Sequence, residues 1–205
     1  MSIRILIADD QDLIRGALAA LLGLEEDLEI VAQTGRGDEV AQLVEEHDVD
    51  VALLDIEMPG RNGIDVAAEL TNSGSACRAL IVTTFGRPGY LRRAMAAGAR
   101  GFVVKDTPAE QLAKTIREVA AGRRVVDPVL AAESMGVGES PFSPREAEVL
   151  AAAADGASVR EVAARVHLSA GTVRNHLSAA IGKTGAGNRA EAARIARDRG
   201  WLLDT

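Results

Sequence analysis

Five short aliphatic runs recur through the first 105 residues, separated by stretches with helical spacing: Ile3–Ala8, Leu28–Thr34, Val49–Asp55, Ala79–Thr84 and Gly101–Lys105. Each has strand length and is rich in Val, Ile and Leu on both alternating faces. A strand that is apolar on both sides has to be covered on both sides. Between the first two runs, Leu13, Ile14, Ala17, Leu18 and Leu21 repeat at helical intervals. Strands alternating with helices predict an α/β doubly wound, five-stranded parallel sheet. Thr107-Pro108-Ala109-Glu110 reads as a capping box with proline at the first helical position, opening the fifth helix.

A chain of 205 residues has room for a second small domain after those five units. Apolar residues are 47% of the chain, too many for disorder, and only five residues are aromatic, so the core must be aliphatic. One cysteine excludes an internal disulfide framework and a thiolate zinc cluster. No apolar run approaches the length of a membrane span, and the opening Met1–Ile7 segment is too short for a signal peptide. A cytoplasmic protein is expected.

Charge divides the chain. Residues 1–125 hold 14 basic and 20 acidic side chains, whereas residues 157–200 hold 8 basic and 3 acidic. An acidic front and a locally basic back suggest two tasks. Arg123–Pro141 reads as a linker, with a short helix from Asp127-Pro128 to Ser134 and no regular structure across the glycines that follow. Beyond it, Ser143-Pro144-Arg145-Glu146 and Ser158-Val159-Arg160-Glu161 are capping boxes, Asn188-Arg189-Ala190-Glu191 is a near variant, and Ser169 is a further N-cap. These predict a small all-α domain of four helices. The expected organisation is residues 1–122, a linker at 123–141, and residues 142–205.

In a doubly wound sheet, ligands bind beyond the carboxyl ends of the strands. Those ends carry Asp9 and Asp10, then Asp55, then Thr83 and Thr84, then Lys105. Three carboxylates converging on one pocket repel unless a cation lies among them. An all-oxygen, partly exposed set suits Mg²⁺.

The Asp9-Asp10 pair, Asp55 with Ile56-Glu57-Met58-Pro59-Gly60 behind it, Thr83 and the Lys105-Asp106 step resemble the receiver domain of bacterial two-component response regulators, a flavodoxin-like fold. The resemblance covers residues 1–122. It implies that Asp55 takes a phosphoryl group from a sensor histidine kinase. Asp10, Asp55 and the backbone carbonyl of Glu57 would hold Mg²⁺, with Asp9 acting through water. Thr83 and Lys105 would meet the phosphoryl oxygens, and Phe102 would be the switch aromatic. Glu57 and Phe85 flank the pocket and are expected to tune the lifetime of the phospho-aspartate.

Other sites find little support. Gly35-Arg36-Gly37 lacks the third glycine of a dinucleotide loop, and no phosphate-binding P-loop is present. His47, His167 and His176 are scattered, and Cys77 reads as an inert small residue.

In the tail, Val159, Val162, Ala163 and Val166 share one face of a helix, and Val173, Leu177, Ala180 and Ile181 share one face of the next. At 100° per residue, Gly171, Thr172, Asn175, Ser178, Ala179 and Gly182 then turn outward, flanked by Arg174 and His176. A small polar face edged by a cation suits the major groove. Thr172 and Asn175 can reach base edges, Arg174 guanine or phosphate, and Lys183 a phosphate.

Phe142–Leu150, Glu161-Val162-Ala163, Thr172–His176 and Lys183 resemble the LuxR-type helix-turn-helix output domain of the NarL/FixJ response regulators. The family's base-reading positions fall on Arg174, Asn175 and Ser178. The sequence departs from it at Thr184, where leucine is usual after the lysine.

The two resemblances together imply a phosphorylation-dependent transcription regulator that dimerises when Asp55 is phosphorylated and binds a double-stranded operator. Helices around Leu13–Leu22 and Glu110–Ala121 would form the dimer surface. It would not be an enzyme beyond self-phosphorylation and self-dephosphorylation. Two alternatives compete: a constitutive DNA-binding regulator with a non-phosphorylated receiver, and a Mg²⁺-dependent aspartyl phosphatase.

Overall fold

The computed structural model describes residues 2–84, 86, 88–128, 130–132 and 140–202. They form two compact units, the first built from residues 1–86 and 91–132 and the second chiefly from residues 133–205.

The first unit is a parallel sheet of β1 (Ile3–Ala8), β2 (Leu28–Thr34), β3 (Val51–Leu54), β4 (Arg78–Thr83), β5 (Gly101–Val104) and β6 (Val125–Val126), in the order β2-β1-β3-β4-β5-β6. Helices α1 (Asp12–Leu22), α2 (Val40–Glu46), α3 (Gly63–Asn72), α4 (Pro88–Ala96) and α5 (Ala109–Ala120) connect the strands. The expected five strands are therefore six. β6 has two residues, pairs in register with Gly101 and Phe102 of β5, and is too short to carry any periodicity. It lies where the linker was expected.

Burial explains the aliphatic runs. Ile5, Ile7, Val51, Leu53, Leu80, Val82 and Val103 turn to one face of the sheet, where Leu22 of α1 and Leu112, Ile116 and Val119 of α5 cover them. The alternate residues Leu6, Ala52, Leu54, Ile81 and Phe102 are equally buried.

The fifth helix opens differently from the expected box. Pro108 itself occupies the capping position, makes no side-chain cap bond, and its carbonyl accepts from Leu112 N–H at 2.9 Å. Proline's fixed φ sets the entry angle there without help from Thr107.

After β6, Asp127 caps a helical segment at Pro128 and residues 130–132, its Oδ1 accepting from Leu130 N–H at 3.2 Å. The remainder of the expected linker helix and glycine run lies mostly outside the described residues, as does Phe85.

The second unit holds α6 (Pro144–Ala152), α7 (Val159–Arg165), α8 (Ala170–Thr184) and α9 (Arg189–Asp198). Both expected capping boxes form: Ser143 with Glu146, and Ser158 with Glu161. Ser169 and Asn188 each accept a hydrogen bond from the third residue onward. Val149, Leu150, Val162, Val173, Leu177 and Ala196 are buried together, and Phe142 meets Trp201 edge-on, with ring centroids 5.7 Å apart. Thr184 turns its hydroxyl back onto the carbonyls of Ala180 and Ile181, at 2.9 and 3.0 Å, and Gly185 then ends α8 in the left-handed conformation with φ 69°.

Candidate functional site

β1 and β3 are neighbours whose connections leave in opposite directions, so the crevice beyond their carboxyl ends is the switch point of the sheet. Asp9 follows β1 and Asp55 follows β3, both nearly fully buried, at 2% and 4% exposure. Backbone amides fix one oxygen of each: Asp9 Oδ1 accepts from Gln11 N–H at 3.0 Å, and Asp55 Oδ1 from Ile56 N–H at 2.7 Å. Gly63 opens α3 so close to the Asp55 carbonyl that a Cβ there has no room, which locks the loop after β3.

The second oxygens share one cation. Lys105, beyond β5, places Nζ 2.8 Å from Asp9 Oδ2 and 2.9 Å from Asp55 Oδ2. Burial pushes the Asp55 carboxyl above its ordinary value, the Lys105 ammonium opposes that, and the Asp9 charge adds to the rise. Burial alone would lower the lysine, but its bonds to Asp9 and Asp55 outweigh it and the net shift is upward. The ammonium stays charged and ties the two carboxylates together.

Asp10 is exposed, and one oxygen each from Asp9, Asp10 and Asp55 lies within 4.8 Å of the others. Three carboxylate oxygens at that spacing, one open to solvent, match a hard cation that keeps some of its waters. Thr83 ends β4 buried, and its carbonyl accepts from Lys105 N–H at 2.7 Å. Thr84 and Glu57 are exposed in the loops beside it, and Phe102 is fully buried three residues before Lys105.

Sequence reasoning missed Arg15. From α1 its Nη1 donates to the Asp9 carbonyl at 2.6 Å, which places a second cation at the rim of the acidic crevice. The available signal was its spacing, one helical turn and a half beyond Asp10.

In the second unit, α7 and α8 are joined by a tight turn. Leu168 N–H reaches back to Ala163 O at 3.0 Å, and His167 adopts φ 53°. Along α8, Gly171, Arg174, Asn175, Ser178 and Gly182 are exposed, Thr172, His176 and Ala179 half-buried, and Val173, Leu177 and Ala180 buried. This is the expected division of the helix into a packed and an open face.

The basic charge is less free than its count implies. Arg165 pairs with Asp155 at 2.6 Å and caps the Ala152 carbonyl, Arg189 donates to Gly156 O, and Arg194 meets Asp198. Lys183 places Nζ 2.6 Å from Glu146 Oε2, the carboxylate of the first capping box. That lysine, followed by the Ser143 N–H, holds the Glu146 carboxyl down at about 2. Arg174 has no carboxylate partner among the described residues and projects from the open face.

Comparison with known proteins agrees with both halves. Residues 5–117 match the response regulator receiver domain, and residues 140–196 match the bacterial regulatory proteins of the luxR family. The chain is 44% identical to the uncharacterized transcriptional regulatory protein YvfU of Bacillus subtilis, across 98% of this chain and all of that one. It is 42% identical to the transcriptional regulatory protein DesR of the same organism, across 98% and 99%. Among solved structures, the response regulator ChrA of a heme-sensing two-component system is similar over 97% of this chain and 98% of its own, with a TM-score of 0.59 and 32% identity. The chain belongs to the response regulators, transcriptional regulators in which a receiver domain is followed by a LuxR-type DNA-binding domain.

Proposed function

We propose that Asp55 accepts a phosphoryl group from a sensor histidine kinase in the cytoplasm, and that the phosphorylated receiver dimerises and delivers two helix-turn-helix domains to an operator. The observation that supports this best is the single ammonium bridging Asp9 and Asp55, with Asp10 beside them. In this reading residues 1–122 are the receiver, 123–141 the linker and 142–205 the output domain.

Transfer moves the phosphoryl from a kinase histidine nitrogen to an Asp55 carboxylate oxygen, leaving the histidine neutral and the aspartate an acyl phosphate. Asp10, Asp55 and the Glu57 carbonyl would hold Mg²⁺, with Asp9 acting through water; when bound, the ion offsets charge on the transferring oxygens. Lys105 stays charged and exchanges its bond to Asp55 Oδ2 for one to a phosphoryl oxygen. The new group carries about −1.5 to −2 charge, enough to draw the Thr83 hydroxyl toward it. Phe102, packed behind that strand, is the side chain that would follow.

Thr172, Asn175 and Ser178 lie on the open face of α8, where they reach base edges, and Arg174 meets guanine or phosphate. His176 and Lys183 flank them. Two such helices on a dimer read half-sites about one helical turn apart. Self-phosphorylation from a small phosphoryl donor and self-dephosphorylation are the only chemistry this pocket needs.

Light scattering on a sizing column tests the scheme with untreated protein, protein given Mg²⁺ and beryllofluoride, and Asp55→Asn treated alike. A monomer-to-dimer shift that requires both Mg²⁺ and Asp55 is expected. Absence of mimic binding would return the constitutive DNA-binding reading.

A further inference from the structure

At the end of the sheet opposite the acidic crevice, three arginines rim a cleft of about 420 Å³, and we propose that it binds a small phosphorylated anion. The sheet register sets Arg100 and Arg124 side by side. Arg100 N–H donates to Ala79 O at 2.8 Å and Arg100 O accepts from Val125 N–H at 2.9 Å. Gly101 and Val125 are paired, so Arg100 and Arg124, each one residue earlier, are neighbours on adjacent strands about 4.8 Å apart. Arg78 begins β4 one residue out of that register, so it lines the cleft while its guanidinium lies toward the α5 face, close against the Gly122 turn. All three line the cleft.

These arginines lack the counter-charge that most arginines of the receiver have. Arg4, Arg15, Arg36, Arg61 and Arg117 each engage a carboxylate. Arg78, Arg100 and Arg124 engage none among the described residues, although the chain carries 30 acidic side chains against 23 basic. Asp50, which precedes β3 at this end of the sheet, already accepts from Arg4 N–H at 2.9 Å.

The helix ends nearby do not absorb the charge either. Ser73, Gly74 and Ser75 N–H close the last turn of α3, and Ala97, Gly98 and Ala99 N–H close that of α4. Gly98, at φ 94°, packs so tightly on Thr71 that a Cβ would collide with its hydroxyl, giving the cleft a firm wall. Ser75 Oγ accepts from Cys77 N–H at 3.2 Å, which leaves its own proton to donate.

Two unpaired arginines on neighbouring strands build a positive potential that a compact anion relieves. Each planar fork donates two parallel bonds; a carboxylate has oxygens for one fork and a chloride for none, whereas a phosphorylated anion has oxygens for both. The cleft volume lies within the range of small-ligand pockets.

The test titrates inorganic pyrophosphate into the full ¹⁵N-labelled chain, in chelator without Mg²⁺, following the arginine Nε–Hε signals and the melting temperature. Saturable shifts centred on Arg100 and Arg124, with a rise in melting temperature, are expected. Arg100→Gln with Arg124→Gln should weaken binding about tenfold or more, and Arg124→Gln alone should weaken it should the pair fail to fold. Asp55→Asn should bind as wild type, which keeps this result separate from the phosphoryl-accepting pocket. The proposal is overturned by absence of saturation, by equal shifts from chloride at matched ionic strength, or by undiminished binding in a folded variant. It is likewise overturned where duplex DNA moves these signals and pyrophosphate does not.

Discussion

Arg117 on α5 grips Asp27 with two parallel hydrogen bonds, Nε to Oδ2 at 2.8 Å and Nη2 to Oδ1 at 2.6 Å, and Nη2 also meets Glu25 at 2.6 Å. The fork fastens α5 to the loop between α1 and β2, which carries Leu24 at 78% exposure. Its charge is spent inside one receiver, so reversing Arg117 would loosen that loop as well as any dimer contact.

The bare leucines give a cleaner test of the α1 and α5 surface. Leu13 is 82% exposed and touches no core, so Leu13→Lys should leave stability within about 0.5 kcal/mol of wild type. The dimer fraction with Mg²⁺ and beryllofluoride should nevertheless fall sharply on the sizing column. Undiminished dimerisation in Leu13→Lys and Leu24→Lys would move the surface elsewhere.

Lys105→Met leaves Asp9 and Asp55 facing each other, buried and without a counter-ion. Removing one partner of a buried ion pair costs about 3 kcal/mol. The sign of the pH effect follows from the upward shift that burial and Asp9 already give Asp55. A carboxyl raised in the folded state adds stability below its unfolded value and loses it as pH rises through the folded value. The variant should therefore fall furthest behind wild type at neutral pH, recover toward pH 4, and regain part of the deficit with Mg²⁺. Urea denaturation over a pH series, with chelator and with Mg²⁺, checks this; a deficit independent of both pH and Mg²⁺ would contradict it.

The acidic crevice was legible because it lies at strand ends, and strand ends follow from where aliphatic runs stop. Asp9, Asp55 and Lys105 needed only that rule. Features that escaped were those set by one or two residues. β6 is two valines and has no period. Ser169 marked the turn between α7 and α8, but not the left-handed His167 within it, at φ 53°, because glycine is the usual sign of such a stop. Pairings across the bundle were equally hidden: the basic count over residues 157–200 overstated the free charge, because Glu146 and Lys183 meet across 37 positions.

That pairing predicts a pH dependence for the output domain. Glu146 is held at about 2, well below its ordinary 4.5, first by Lys183 and then by the Ser143 N–H. A carboxyl lowered in the folded state adds stability above its unfolded value and loses it as pH falls through the folded one. The domain should hold its stability down to about pH 4.5 and lose it progressively toward pH 2. Glu146→Gln should cost about 1–2 kcal/mol at neutral pH and flatten that decline. Trp201, the one tryptophan and part of this core, reports the unfolding by fluorescence.

Salt dependence of DNA binding should separate Arg174 from Lys183. Each phosphate neutralised by a free cation contributes close to one unit to the slope of log affinity against log salt. Arg174 is exposed and lacks a carboxylate partner among the described residues, so Arg174→Ala should lower affinity by about 1–3 kcal/mol. Loss of a phosphate contact would reduce the slope by about one, whereas loss of a guanine contact would leave the slope and relax one base position. Lys183 starts from a bond to Glu146, and releasing it for a phosphate would strand that carboxylate on the helix cap. Lys183→Met should change the slope by distinctly less than one and act mainly on domain stability. A full unit lost in Lys183→Met, with an unchanged melting temperature, would mean that Lys183 leaves Glu146 when DNA binds.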